Sequence, residues 1–134
     1  VTERRARRKP GENRARLVQA GLHEFGLYGY QGASTARIAA RAEVPQPHVY
    51  TNFTGKPELF LACLDEALDR VHTRDTALLA AAELLIYQAL ATALDPDHGA
   101  VIRHRLADVL TPAHRDQIVL AAASRLARGE LLGE

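Results

Sequence analysis

Apolar side chains recur along this chain at helical rather than strand spacing. Between Asn13 and about Leu27 they fall at Leu17, Val18, Leu22 and Phe25, one face of a first helix. Gly21 lies on that same face, where glycine costs about 1 kcal/mol of helix propensity relative to alanine, so a close packing contact is expected there. Gly26 and the Tyr28-Gly29-Tyr30 cluster are expected to end the helix in a turn. Ser34 suits the N-cap of a short second helix that turns Ile38, Ala39 and Ala42 inward. Glu43-Val44 reads as a turn, Pro45 as the opening of a third helix, and Pro47 as part of its first turn, where a missing N–H costs nothing.

Thr54-Gly55 breaks the chain again. A longer helix follows, with Pro57 in its first turn and Leu59, Phe60, Cys63, Leu64, Ala67, Leu68 and Val71 on its apolar face. Ala77–Leu94, Gly99–Leu110 and Ala113–Arg128 read as three further helices, separated at Asp95-Pro96 and Thr111-Pro112. Alternating β-branched runs are absent, so the fold class expected is all-α. Ala77–Leu94 is long enough to raise the question of a membrane span. It contains Glu83 and Gln88, however, and a carboxylate near a bilayer centre costs roughly 2.5–3.5 kcal/mol. Its flanks, Asp75 and Asp95, lack basic anchors, so a buried helix is expected instead.

Composition adds one strong asymmetry. The formal net charge of +1 divides unevenly: residues 1–56 hold ten Lys/Arg against four Asp/Glu, and residues 57–134 hold seven against twelve. A basic end suits a polyanionic partner. The single cysteine, Cys63, excludes an internal disulfide framework and suits a reducing compartment, and its place on an apolar face makes it inert core. The basic start runs into Pro10-Gly11 rather than an apolar stretch, so no secretory signal is expected and the location expected is cytoplasmic.

The chemistry concentrates between Ser34 and Leu59. Two short helices joined by a tight turn, beside a tail holding Arg4, Arg5, Arg7, Arg8 and Lys9, are a common means of placing side chains in the major groove of DNA. Ser34 and Thr35, opening the second helix, would present hydroxyls and backbone N–H groups to a phosphate. Gln46, Pro47 and His48, opening the third, would enter the groove. Gln46 suits adenine N6/N7, and His48 would donate to guanine or to a phosphate. The arm, with Arg7 and Arg8, would reach the adjacent minor groove.

The segment from Arg14 to Leu59 also resembles the DNA-binding domain of the tetracycline-repressor (TetR) family. The features that carry the resemblance come in order: the apolar helix ending in Phe25, Gly29-Tyr30, Ser34-Thr35, Ile38-Ala39, Ala42-Glu43-Val44, the aromatic pair Tyr50 and Phe53, then Lys56 and Leu59. Two positions depart from the family pattern. Glu43 stands where a glycine in the left-handed conformation is usual, at a cost of about 1 kcal/mol. Pro45 stands where a serine N-cap is usual, which deprives the recognition helix of a cap worth ~1 kcal/mol.

The resemblance implies phosphate contacts by Tyr50 and Lys56, with Thr51 and Asn52 close enough to help, whereas Phe53 reads as core. It implies three segments: a basic arm over 1–12, a helix-turn-helix DNA-binding domain over 13–56, and a helical ligand-binding and dimerisation domain over 57–134. The second half is similar to the family only in being helical and Ala/Leu-rich, and it is short for the family. The function implied is a homodimeric regulator, a repressor by the family's habit, that binds a palindromic operator and is released by a small apolar effector. Tyr87 and Arg103 are the candidate polar spots of the effector site. Val119, Leu120, Ala123, Leu126 and Ala127 form the stripe expected to be buried between protomers.

Other readings compete. A second half that only dimerises would leave a DNA-binding protein that senses nothing. His104 and Asp108, four apart, have a spacing compatible with two metal ligands but no third partner at a fixed spacing, so no metal and no cofactor is expected. No nucleophile elbow, phosphate-binding glycine loop or Cys/His zinc spacing is present, which makes a helical enzyme the weaker alternative.

Overall fold

Seven helices make up the described residues, 8–74 and 77–130 of the computed structural model: α1 Glu12–Gly32, α2 Thr35–Ala42, α3 Pro47–Asn52, α4 Lys56–Thr73, α5 Leu79–Ala91, α6 Gly99–Val109 and α7 Pro112–Ala127. No strand occurs among them. The fold is therefore all-α, as the 3.6-residue periodicity required. α5 is apolar on several faces, and α1, α4 and α7 all pack on it, while α2 and α3 rest on α1. The buried side chains form one cluster from Leu17 in α1 to Ala122 in α7. None of the described helices is long and apolar enough to cross a membrane. Glu83, the acid that argued against a span, is largely buried and paired with Arg125 of α7 at 2.5 Å.

Helix α1 runs further than its glycines suggest. Gly26 is accommodated within the helix, and the break falls at Gly29, whose φ of 73° and ψ of 175° lie in a region open essentially to glycine alone. Gln88 of α5 packs against this kink and donates from Nε2 to the Gly26 carbonyl at 3.1 Å. The expected end near Leu27 is corrected accordingly: local turn signals marked the kink but not the three residues beyond it. The span expected over 77–94 contracts to Leu79–Ala91, because Leu78 takes a left-handed φ of 61° before the first turn and Thr92 closes the last. Pro45 precedes α3 rather than opening it. With prolines at 45 and 47, the first amide to pair is that of His48, to the Pro45 carbonyl at 2.9 Å, and regular helix starts at Pro47.

At Gly21, α1 packs tightly against α4. A Cβ built there would lie 2.6 Å from the Sγ of Cys63, which is fully buried and bonded to the Val18 carbonyl at 3.5 Å. Burial also pushes the Cys63 thiol far above its ordinary range, which keeps it protonated and unreactive. Gly21→Ala is expected to destabilise the fold by about 1–3 kcal/mol through overpacking, although alanine is the better helix former. In a Cys63→Ala background the same change should cost nothing or stabilise. Urea titrations of the four proteins check this; an equal penalty in both backgrounds would show that the sulfur is not the obstacle.

Candidate nucleic-acid interface

The turn between α2 and α3 is built by devices at both of its ends. Ser34 caps α2, its Oγ accepting from the Arg37 amide at 3.1 Å, while its O–H stays available to donate. At the other end Glu43 adopts the left-handed conformation, φ 56° and ψ 44°, and its amide closes onto the carbonyls of Ala39 and Ala40. Two arginines from outside the turn hold this strained residue. Arg16 donates from Nε to the Ala42 carbonyl at 2.9 Å and pairs with the Glu43 carboxylate at 3.3 Å, and Arg8 donates to the Glu43 carbonyl at 2.8 Å. The glutamate that replaces the customary glycine thus recruits a side-chain partner that glycine could not offer.

A second device sets the angle of α2 on α1. Glu24 is 4% exposed, and its two oxygens face Arg37 and Arg41, each at 3.2 Å. Arg37 also lies over the Tyr28 ring at 5.0 Å. Beside this group, burial and then the charge of Arg41 hold the His23 imidazole below its usual range. Periodicity carried no sign of Glu24 turning inward, since a carboxylate on an apolar face is the exception rather than the rule.

On the outer face, Thr35, Gln46 and Tyr50 come together. Thr35 Oγ1 lies 3.2 Å from the Tyr50 hydroxyl, and Gln46 Nε2 donates towards the same oxygen at 3.5 Å. Tyr50 is 55% exposed, whereas Phe53, one turn on, is 2% exposed under the Arg14 guanidinium. The two aromatics of the motif therefore face opposite ways, Phe53 to the core and Tyr50 to solvent. Thr35 and Tyr50 offer two hydroxyls side by side, and the Gln46 amide adds a donor and an acceptor next to them. Such a surface can hold a phosphate oxygen and a base edge together. α3 has no side-chain cap, but the N-cap position is held by Gln46 rather than Pro45, and Pro47 is exposed at the helix start.

The other expected residues lie elsewhere. Thr51 and Asn52 turn back on their own helix, both donating to the His48 carbonyl, at 2.9 and 2.8 Å. Lys56 lies over the Tyr30 ring at 4.8 Å and reaches the Gln31 carbonyl at 3.4 Å; burial first, and Arg37 second, lower its affinity for a proton. Arg8 folds against the α1–α3 junction, donating to Asn13 Oδ1 at 2.8 Å, and Asn13 in turn meets the exposed His48 at 3.3 Å. Arg7 lies outside the described residues. Asn13, Arg16 and Glu24 are the site-building residues that sequence reasoning missed, because their partners on α2 and α3 are 13 to 35 positions away.

In the second half, an open groove of about 440 Å³ between α5, α6 and α7 is lined by Leu90, Leu106, Leu110 and Pro112, with Arg103 and Arg115 at its edge. Arg103 donates to the Ala93 carbonyl, and Tyr87 is not among the groove's lining residues, so the structure does not bring the two effector candidates together. His104 and Asp108 form an exposed pair at 3.5 Å, and among the described residues no three His, Cys, Asp or Glu side chains converge on a metal-sized site. Along α7 it is Ile118 and Ala122 that face the core. Of the expected stripe, Leu120 (69% exposed), Leu126 and Ala127 are exposed, and Val119 and Ala123 are half-buried.

Comparison with known proteins places the match on this same surface. Residues 17–63, from the middle of α1 to the middle of α4, match the family described as bacterial regulatory proteins, tetR family. Over 113 residues the chain is 32% identical to the HTH-type transcriptional repressor ComR of Escherichia coli, an overlap covering 84% of this chain and 51% of ComR. It is 39% identical over 69 residues to the HTH-type transcriptional activator FasR of Mycolicibacterium smegmatis, covering 51% of this chain and 32% of FasR. With an HTH-type transcriptional repressor of Streptomyces coelicolor it shares 35% identity over 63 residues, covering 47% of this chain and 33% of that protein. The chain thus spans between about a third and a half of the length of these relatives.

Proposed function

We propose that this chain, whose residues 17–63 match the tetR family of bacterial regulatory proteins, is a sequence-specific DNA-binding regulator of transcription. The observation that carries the reading is the exposed Thr35–Gln46–Tyr50 group on the α2–α3 face, inside the matched segment. Residues 13–56 act as the helix-turn-helix unit. Gln46 reads a base edge, Ser34, Thr35 and Tyr50 fix register on phosphates, and Lys56 serves a phosphate once it leaves the Tyr30 ring.

Residues 57–134 act as the dimerising and effector-binding half. The exposed apolar side of α7, with Leu120 and Leu126, supports an interface between two copies, which would read a palindrome with half-sites about one helical turn apart. The groove between α5, α6 and α7 suits a small apolar effector with one acidic group for Arg103 or Arg115. Such an effector releases DNA only by binding better to the geometry whose recognition helices no longer fit both half-sites. Relatives are named both as repressors and as an activator. The protein acts in the cytoplasm as a repressor of its operator.

Selection of bound duplexes from a random pool at two salt concentrations tests the reading. A palindromic consensus retained at the higher salt is expected. Binding that falls steeply with salt and yields no consensus would reduce the chain to a non-specific polyanion binder and sink the regulator assignment.

A further inference from the structure

We propose that Asn13 is a positioning residue that holds His48 in the Nε2–H tautomer, so that α3 presents a hydrogen-bond donor to an acceptor atom of the DNA. The proposal rests on the regulator reading for its ligand, though not for the tautomer itself. Asn13 Nδ2 lies 3.3 Å from His48 Nδ1. An amide nitrogen can only donate, so Nδ1 must be the unprotonated, accepting nitrogen. What decides which way the amide faces is Arg8, whose Nη1 donates to Asn13 Oδ1 at 2.8 Å. Turned over, the amide would set its NH2 against the guanidinium, donor against donor, and its oxygen against His48.

Arg8 is in turn fixed by its second nitrogen on the Glu43 carbonyl at 2.8 Å, in the turn that leads into α3. The order of command therefore runs from the turn through Arg8 and Asn13 to the imidazole. With Nδ1 occupied, the single proton of the neutral ring sits on Nε2, and no described residue accepts from it. His48 is exposed at the second position of α3, next to Pro47 and two residues from Gln46. An Nε2–H at that place suits guanine N7 or O6, or a phosphate oxygen, and it repels the amino groups of adenine and cytosine. Asn13 and Arg8 lie upstream of residues 17–63, the segment that matches the tetR family, whereas Glu43 and His48 lie within it.

Long-range nitrogen–proton NMR of the His48 ring in the full chain at pH 8 gives the direct test. The wild type should show a protonated Nε2 and a bare Nδ1. Asn13→Ala should show a mixture of tautomers. Asn13→Asp, which keeps a partner for Arg8 but can only accept, should move the proton to Nδ1. A wild-type ring protonated at Nδ1, or a ring indifferent to both substitutions, overturns the proposal.

Binding to the selected duplex supplies the second arm. His48→Ala and Asn13→Ala should each weaken binding about two- to tenfold, and the double variant no further than His48→Ala alone. Losses that multiply would mean that Asn13 acts independently of His48, against the proposal. A loss confined to one base-pair position assigns the donor to a base, and a uniform loss assigns it to a phosphate. If the wild type selects no duplex, the regulator reading falls, while the ring nitrogens still decide the tautomer.

Discussion

Phe60→Ala is expected to remove about 3–5 kcal/mol of stability, a large share of the ~5–15 kcal/mol that holds a typical domain. Phe60 is 2% exposed and stands edge-on to two rings of α1, Phe25 at 5.0 Å and Tyr30 at 5.2 Å. Truncation forfeits its own burial, leaves a cavity between α1 and α4, and removes two ring contacts worth about 0.5–1.5 kcal/mol each. The cavity cannot close easily, because Tyr30 is pinned on its other side by His98 at 6.0 Å and lies parallel to Phe25 at 6.2 Å. Phe60→Leu, which keeps most of the volume, should cost clearly less. The check is a urea titration with the slope held as a control, so that a lower midpoint reports stability alone. A loss under 1 kcal/mol for Phe60→Ala would mean that the α1–α4 junction repacks freely.

How far the sequence could be read depended on how local each determinant is. All seven apolar positions named for α4, from Leu59 to Val71, are buried, and so are Ile38, Ala39 and Ala42 of α2. A helical face is encoded within three to four residues, and the Ser34 cap within three, so each signal is complete in a short window. Phe53, expected in the core, is buried: it is the extended C-cap just beyond the six residues of α3, which turns its ring away from the exposed Tyr50. The close contact expected at Gly21 also exists, but its partner, Cys63, was not legible.

What escaped the sequence was pairing at a distance. Gln88 meets the Gly26 carbonyl beside the α1 kink from 62 residues away, and Arg41 meets Glu24 from 17. Nothing in the local pattern distinguishes Glu24 from a solvated acid, because its burial is decided by two arginines of another helix. The arm posed the opposite problem. Arg8 carries the charge expected of a DNA-seeking arm, yet the hydrogen-bond acceptors of Glu43 and Asn13 claim it at the junction. Composition reports how many cations a segment has but not which acceptors have already claimed them.

Gln46→Ala and Tyr50→Ala should both weaken operator binding by about 1–3 kcal/mol, and in distinguishable ways. Both side chains converge on Thr35 Oγ1 in the free protein, at 3.5 Å and 3.2 Å, so their polar ends are pre-arranged before any DNA arrives. Removing Gln46 deletes a donor–acceptor pair suited to one base, so the loss should concentrate at one position of each half-site and relax the preference there. Removing the Tyr50 ring deletes a hydroxyl suited to a phosphate, so affinity should fall for every sequence alike. Neither residue is charged, and neither loss should change the salt dependence. Lys56→Ala differs: if its ammonium exchanges the Tyr30 face for a phosphate, the slope of log affinity against log salt should shrink by about 0.9 per site. Tyr50→Phe separates ring from hydroxyl and should reproduce most of the Tyr50→Ala loss. Because Gln46 and Tyr50 are exposed, neither of their losses should arise from unfolding, and unchanged melting curves would confirm that. A Tyr50→Phe protein that binds as tightly as the wild type would show that the hydroxyl beside Thr35 faces water in the complex. The α2–α3 face would then meet DNA by an edge other than the one Thr35, Gln46 and Tyr50 define.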